Sequence, residues 1–199
     1  MLNITNKSSK SNHININNNI FGLWIYLMSD CVFFSVLFIN YILSYNNMLN
    51  TINNNFYNIP FVLIETLILL TSSYTCCLST YYFSINKIKY VVYYLSITFF
   101  LGICFIYMEL YEFIHLIKIN LGPDKNYFLS SFFTLLGIHG IHIIIGLIWF
   151  IILLLQIYLN KFDKIRNNLY CLSLFWHFLD IVWVFIFTIV YLFSFSIIK

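Results

Sequence analysis

Charge is what this chain has least of: only 9% of its 199 residues are Asp, Glu, Lys or Arg. An ordinary soluble domain carries roughly 25%, so a water-soluble globular protein is excluded. No long polar or charged stretch follows residue 20, which leaves no room for a second, soluble domain. Alanine is missing altogether and Arg166 is the lone arginine, while Asn, Ile, Phe and Tyr abound. That bias reads as drift towards AT-rich codons and carries no chemistry. The five cysteines, Cys31, Cys76, Cys77, Cys104 and Cys171, form no CxxC or Cys-His spacing, so neither a disulfide framework nor a zinc site is expected. Residues 1–20 hold Lys7, Lys10, His13 and an asparagine run without the apolar core of a cleavable signal. They are expected to be a retained, disordered cytoplasmic tail.

What is present is hydrophobic: 61% of the residues are apolar, 21% are aromatic, and mean hydropathy is +0.87. A membrane-spanning helix needs about 20 apolar residues. Five segments qualify, approximately 21–45, 60–86, 90–118, 126–158 and 168–198, and predict an all-α integral membrane bundle over 21–199. Asn46 to Asn58, Pro60 and Gly122-Pro123-Asp124 punctuate them. Lys7, Lys10, Lys87, Lys89, Lys161, Lys164 and Arg166 fall on one side, and only Lys118, Lys125 and Lys199 on the other. Because cytoplasmic loops are the basic ones, the N-terminus is expected in the cytoplasm and the C-terminus in the periplasm. The dispersed net charge of +3 is then a topological signal, and nucleic acid is not an expected partner. Trp24, Tyr57, Tyr90, Tyr127, Tyr158 and Tyr170 near the span ends read as an interfacial belt, and the deeper Trp149, Trp176 and Trp183 as packing residues.

Ionisable side chains within a bilayer are costly unless they face protein, water or one another. Those in the expected spans are Asp30, Glu65, Glu109, Glu112, His115, His139, His142, His177 and Asp180. Glu109 with Glu112, Glu112 with His115, His139 with His142, and His177 with Asp180 stand three residues apart, on one helical face. Such pairs suit a metal, a proton relay, a lipid head group, or mutual hydrogen bonding. A di-metal oxidase site wants two Glu-x-x-His pairs and single Glu residues from facing helices; one such pair, Glu112 with His115, is present. Counting about 1.5 Å per residue from the expected ends puts Glu65 and Glu109 in the outer half. The same count puts Asp30, His177 and Asp180 in the inner half and His139 with His142 near the middle. The candidates therefore spread over layers. A haem between His142 and His177 meets the same difficulty of depth. His139 and His142 are better read as a hydrogen-bonded pair, with Gly137 and Gly140 admitting a neighbouring helix. A proton-relaying transporter lacks support from inverted repeats or broken helices.

Five strings go further. Phe21-Gly22-Leu23-Trp24-Ile25-Tyr26-Leu27-Met28-Ser29-Asp30, Pro60-Phe61-Val62-Leu63-Ile64-Glu65-Thr66, Met108-Glu109-Leu110-Tyr111-Glu112-Phe113, His139-Gly140-Ile141-His142 and Trp176-His177-Phe178-Leu179-Asp180-Ile181-Val182-Trp183 closely resemble subunit 3 of the haem-copper terminal oxidases. The five-helix length and the first string resemble the cytochrome bo-type ubiquinol oxidase branch; cytochrome c oxidase relatives often have seven helices. The resemblance implies a non-catalytic subunit of a proton-pumping respiratory complex that oxidises ubiquinol and reduces oxygen to water. It implies no cofactor in this chain, with haem and copper in the large catalytic subunit. That subunit, the other subunits of the complex, bound phospholipid and a bacterial inner membrane are the implied surroundings. By the same analogy Asp30, Glu65, Glu109, Glu112, His139, His142, Trp176, His177 and Asp180 form a lipid-binding or structural polar framework. Within it, Asp180 is expected to pair with His177.

Overall fold

The computed structural model describes residues 2–46, 59–119, 121–124, 126–159 and 162–192, with the side chains of 2–19, 45, 46, 59 and 162–164 left aside. Its elements are five helices, α1 (Leu2–Asn46), α2 (Ile59–Ser84), α3 (Ile88–Lys118), α4 (Tyr127–Tyr158) and α5 (Phe162–Ile186), the last continued by π-helical turns over Phe187–Leu192. Each contains a stretch of 25 to 32 residues apolar enough to cross a membrane, and about 20 suffice. Helices are the form such segments take because they satisfy every backbone donor and acceptor internally. Buried hydroxyls follow the same rule: Ser79, Thr98 and Ser131 donate to carbonyls three residues back at 2.7 to 2.8 Å.

The observed ends differ from the expected ones mainly in α1 and α5. Helix α1 runs from Leu2, through the tail expected to be disordered, while its apolar span is Ile20–Ser44. A helix already nucleated in the span extends by one backbone hydrogen bond per added residue without a new nucleus. Helix α5 starts at Phe162, six residues ahead of 168, and the end expected at 198 lies outside the described residues. So does the Asn-rich loop over 47–58, Tyr57 included.

Helices α2 and α3 form an antiparallel hairpin, closed by Asn86 in the left-handed region (φ 60°). Asn tolerates that conformation better than most residues. The Asn86 N–H bonds the Phe83 carbonyl at 3.0 Å and the Lys87 N–H the Tyr82 carbonyl at 3.1 Å, a Schellman closure of α2. Helix α5 packs on α4, α2 and α1 and is the centre of the bundle. Half of its most apolar window is buried, against 17% for α1. Trp24, Tyr90, Tyr127, Tyr158 and Tyr170 are exposed near span ends, whereas Trp176 and Trp183 are core and Trp149 is half-buried.

Trp176 holds the centre. A Cβ on Gly102 of α3 would lie 3.0 Å from the Trp176 ring, and one on Gly146 of α4 also 3.0 Å. Those glycines are therefore the two walls of its slot. Phe150 meets the ring edge-on at 4.9 Å, and the Trp176 Nε1–H donates to Ser72 Oγ on α2 at 3.0 Å. One side chain thus joins four helices. In lipid, where apolar burial alone does not drive helix association, close backbone approach and interhelical hydrogen bonds are the adhesives.

Candidate functional site

The polar residues singled out from the sequence resolve into three groups. The first links α1 to α4: His142 Nε2 lies 3.5 Å from Asp30 Oδ2, and both side chains are nearly buried. The His142 Nδ1 is held 2.8 Å from the Ile138 carbonyl of its own helix, which aims Nε2 at α1. Tyr26, one turn before Asp30, interacts with the same carboxylate. The expected His139 with His142 bond is not formed. His139 has zero exposure and no hydrogen-bond partner at either ring nitrogen. It stacks on Trp183 at 5.3 Å and meets Phe105 edge-on at 6.1 Å. The physical reason is that three residues of separation bring Cβ atoms near each other but leave the ring rotamers free, and His142 finds a better acceptor in its own backbone.

The second group lies along the α2–α5 seam. His177 Nδ1 is 2.8 Å from Ser73 Oγ, directly beside the Trp176 to Ser72 bond. Consecutive residues of α5 therefore engage consecutive serines of α2. The expected His177 with Asp180 pair is not formed, because the imidazole points across to α2. Ser73 is also within electrostatic reach of the Asp180 carboxyl, whose two oxygens complete no hydrogen bond. Cys76 of α2 is near enough to feel Asp180 as well.

The third group is acidic. Glu65 on α2 has zero exposure, and it interacts electrostatically with Glu112 and Glu109 of α3. Glu109 is 3% exposed and its carboxyl packs on the backbone of Gly140, where a Cβ would come within 2.9 Å of Oε2. Gly140 thus admits this acid; Gly137, by contrast, has nothing within 4 Å of its Cβ position. Both Glu65 oxygens and Glu109 Oε1 are without a hydrogen-bond partner. Glu112, half-buried, accepts from the Tyr191 hydroxyl, 3.1 and 3.2 Å from its two oxygens.

Depth counting grouped Glu65 with Glu109 correctly, but Ser72, Ser73 and Tyr191 were missed. Serines in an apolar span are unremarkable in sequence, and Tyr191 sits where the π-helical turns alter the helical register. Among the described residues no three His, Cys, Asp or Glu side chains are grouped as a metal ion would need. Glu112 is bound to a tyrosine, and His115, its partner in the expected Glu-x-x-His pair, is exposed.

Comparison with known proteins settles the lineage. The family described as cytochrome c oxidase subunit III matches residues 4–195. The chain belongs to that family. Three relatives carry the name cytochrome bo(3) ubiquinol oxidase subunit 3. The one from Buchnera aphidicola subsp. Schizaphis graminum is 50% identical over 178 residues, 88% of this chain and 94% of its own. Another, from Buchnera aphidicola subsp. Acyrthosiphon pisum, is 46% identical over 95% of this chain and 93% of its own. A third, from Pseudomonas aeruginosa, is 45% identical over 88% and 85%. Subunit III family membership fits the geometry: the polar side chains that pair in the first two groups tie helices to one another.

Proposed function

We propose that this chain is the non-catalytic subunit 3 of a bo-type ubiquinol oxidase, a proton-pumping respiratory complex. The observation that carries this reading is the 50% identity, over 88% of the chain, to a protein of that name. In this reading the chain lies against the large catalytic subunit, where ubiquinol is oxidised and oxygen reduced, and the haem and copper belong to that partner. The complex sits in a bacterial inner membrane, with the N-terminus of this chain in the cytoplasm beside the basic loops.

The contribution of this subunit is mechanical. Trp176 with Ser72 and His177 with Ser73 bond across helices, and His142 faces Asp30 across a third seam at 3.5 Å, which fixes the shape that the partner meets. Assembly and durability of the complex depend on that shape, and phospholipid fills the space between this bundle and its neighbours.

The test is to purify the chain alone and with its membrane partners, then record metal content and a reduced-minus-oxidised visible spectrum for both. Colour and metal in the complex only are expected. Stoichiometric haem, iron or copper in the isolated chain overturns the reading. Retained phospholipid, detected by mass spectrometry of the gently extracted complex, tests the lipid role separately.

A further inference from the structure

Buried carboxyl oxygens without a hydrogen bond occur in all three groups, at Asp30 Oδ2, at both oxygens of Asp180 and at Glu65 and Glu109, but the acidic group sets them against other acids. Glu65 has zero exposure and two unpartnered oxygens, and Glu109, at 3% exposure, has one. The groups facing them can be followed element by element. Helix α2 supplies Glu65; α3 supplies Glu109 and Glu112; the π-helical end of α5 supplies the Tyr191 hydroxyl; and on α4 the backbone of Gly140 lies against the Glu109 carboxyl. Among the described residues the ion pair of the bundle is Asp30 with His142, so no Lys or Arg among them neutralises the three acids. Without a counter-ion, neighbouring carboxyl groups in a low-dielectric interior share protons instead of all carrying charge.

Helix α3 continues from this site as a row of titratable groups, Glu109, Glu112, His115 and Lys118, at three-residue steps. Each step climbs about 4.5 Å and turns the position by about 60° relative to the last, and neighbours three apart lie within about 6 Å at Cβ. The row therefore winds from core to surface as it climbs. Glu109 is buried, Glu112 half-buried, and His115 and Lys118 are exposed.

We propose that Glu65, Glu109 and Glu112, with the Tyr191 hydroxyl, form a buried proton-storage site that exchanges with water at the C-terminal end of α3 through Glu112 and His115. A proton taken from water by the His115 imidazole passes to the Glu112 carboxylate, and from there to Glu109 or Glu65; release follows the reverse order. The ligand of the site is the proton itself. The Tyr191 hydroxyl holds Glu112 towards the cluster, and Gly140 gives Glu109 its place.

Infrared spectroscopy of the purified oxidase complex containing this chain tests the proposal, by the C=O stretch of protonated carboxyl groups and its shift on transfer to deuterated water. Glu65→Gln and Glu109→Gln each remove intensity from that band. Glu112→Gln, which removes the third acid, also lowers the band, whereas His115→Phe leaves the band in place and slows its deuterium shift several-fold. Tyr191→Phe, which keeps the ring and removes only the hydroxyl, moves the band in frequency. Unchanged band intensity in both Glu65→Gln and Glu109→Gln overturns the storage site. An unchanged exchange rate in His115→Phe, at an exposed position with no core role, overturns the route. Should the buried variants fail to assemble, an unmoved band in Tyr191→Phe overturns the assignment of the cluster.

Discussion

Helix α2 presents polar side chains to its neighbours in two places. About two turns apart along one helix, Ser72 and Ser73 complete bonds to Trp176 and His177, whereas Glu65 lies wholly buried among acids with neither oxygen bonded. Burial is equally deep at Ser72 and Glu65, so depth does not separate the two places. Completion of bonding does. A completed bond between helices holds the bundle together, whereas an uncompleted buried acid costs free energy; Asp180 beside Ser73 shares that cost, but Glu65 has two further acids for neighbours.

The comparison is broken most severely at Trp176. Trp176→Ala empties the slot between Gly102 and Gly146 and removes the donor to the Ser72 hydroxyl, which keeps only its bond to the Leu69 carbonyl. A destabilisation of about 3 to 5 kcal/mol is expected, measured as loss of this subunit from the complex across a detergent titration. Retention equal to wild type would show that the slot is not the centre of cohesion. Gly102→Val attacks the same slot from its wall. Its Cβ would stand 2.8 Å from Leu147 Cδ2 and 3.0 Å from the Trp176 ring, and overpacking costs about 1 to 3 kcal/mol. Thermal unfolding followed by tryptophan fluorescence resolves that shift.

Ser73→Ala asks which partner His177 has. With the hydroxyl gone, the imidazole loses the bond at 2.8 Å, an expected cost of about 1 to 3 kcal/mol for one buried group left unsatisfied. If Asp180 were the partner, as the three-residue spacing suggests, Ser73→Ala would be mild and Asp180→Ala severe. The α1–α4 link is weaker. Asp30→Ala and His142→Ala, combined in a double-mutant cycle, are expected to show a coupling of about 0.5 to 1 kcal/mol, since the pair is 3.5 Å apart and each side chain retains 12 to 13% exposure. A coupling of zero would remove this pair from the set of links.

Legibility from sequence follows the range of the interactions involved. Five spans are visible in apolar run length alone, because lipid dictates length and hydropathy directly, and the observed α2, α3 and α4 begin or end within a few residues of expectation. Which acids share a layer is legible for Glu65 and Glu109, as depth follows from counting residues. Partners are not. The bonds of His177 to Ser73 and Glu112 to Tyr191 join residues 104 and 79 positions apart, and they depend on helix rotation, which hydropathy fixes poorly. For α2 the apolar residues run almost all round the helix, so no polar stripe announces its orientation. Local spacing misled for the same reason: His139 with His142 and His177 with Asp180 are neighbours on their helices, yet each helix has a neighbour offering more.

The mildest substitution separates the two places on α2 most cleanly. Glu65→Met replaces a buried, unbonded acid by an apolar side chain of similar length. At Ser72 or Ser73 the equivalent replacement deletes one half of a bond and strands the other half; at Glu65 no bonded partner is left behind. Replacing buried ionisable groups by apolar ones of similar volume is often neutral or stabilising. The expectation is therefore a change within about 0.5 kcal/mol of wild type, or a gain, in the same detergent titration that registers Trp176→Ala as severe. A large loss would mean that Glu65 makes a cohesive contact with its helix neighbours, and the difference between the two places would then be one of geometry alone. A neutral outcome leaves the acid with no structural reason to be there, and the buried carboxyl cluster is then to be explained by what it does with its protons.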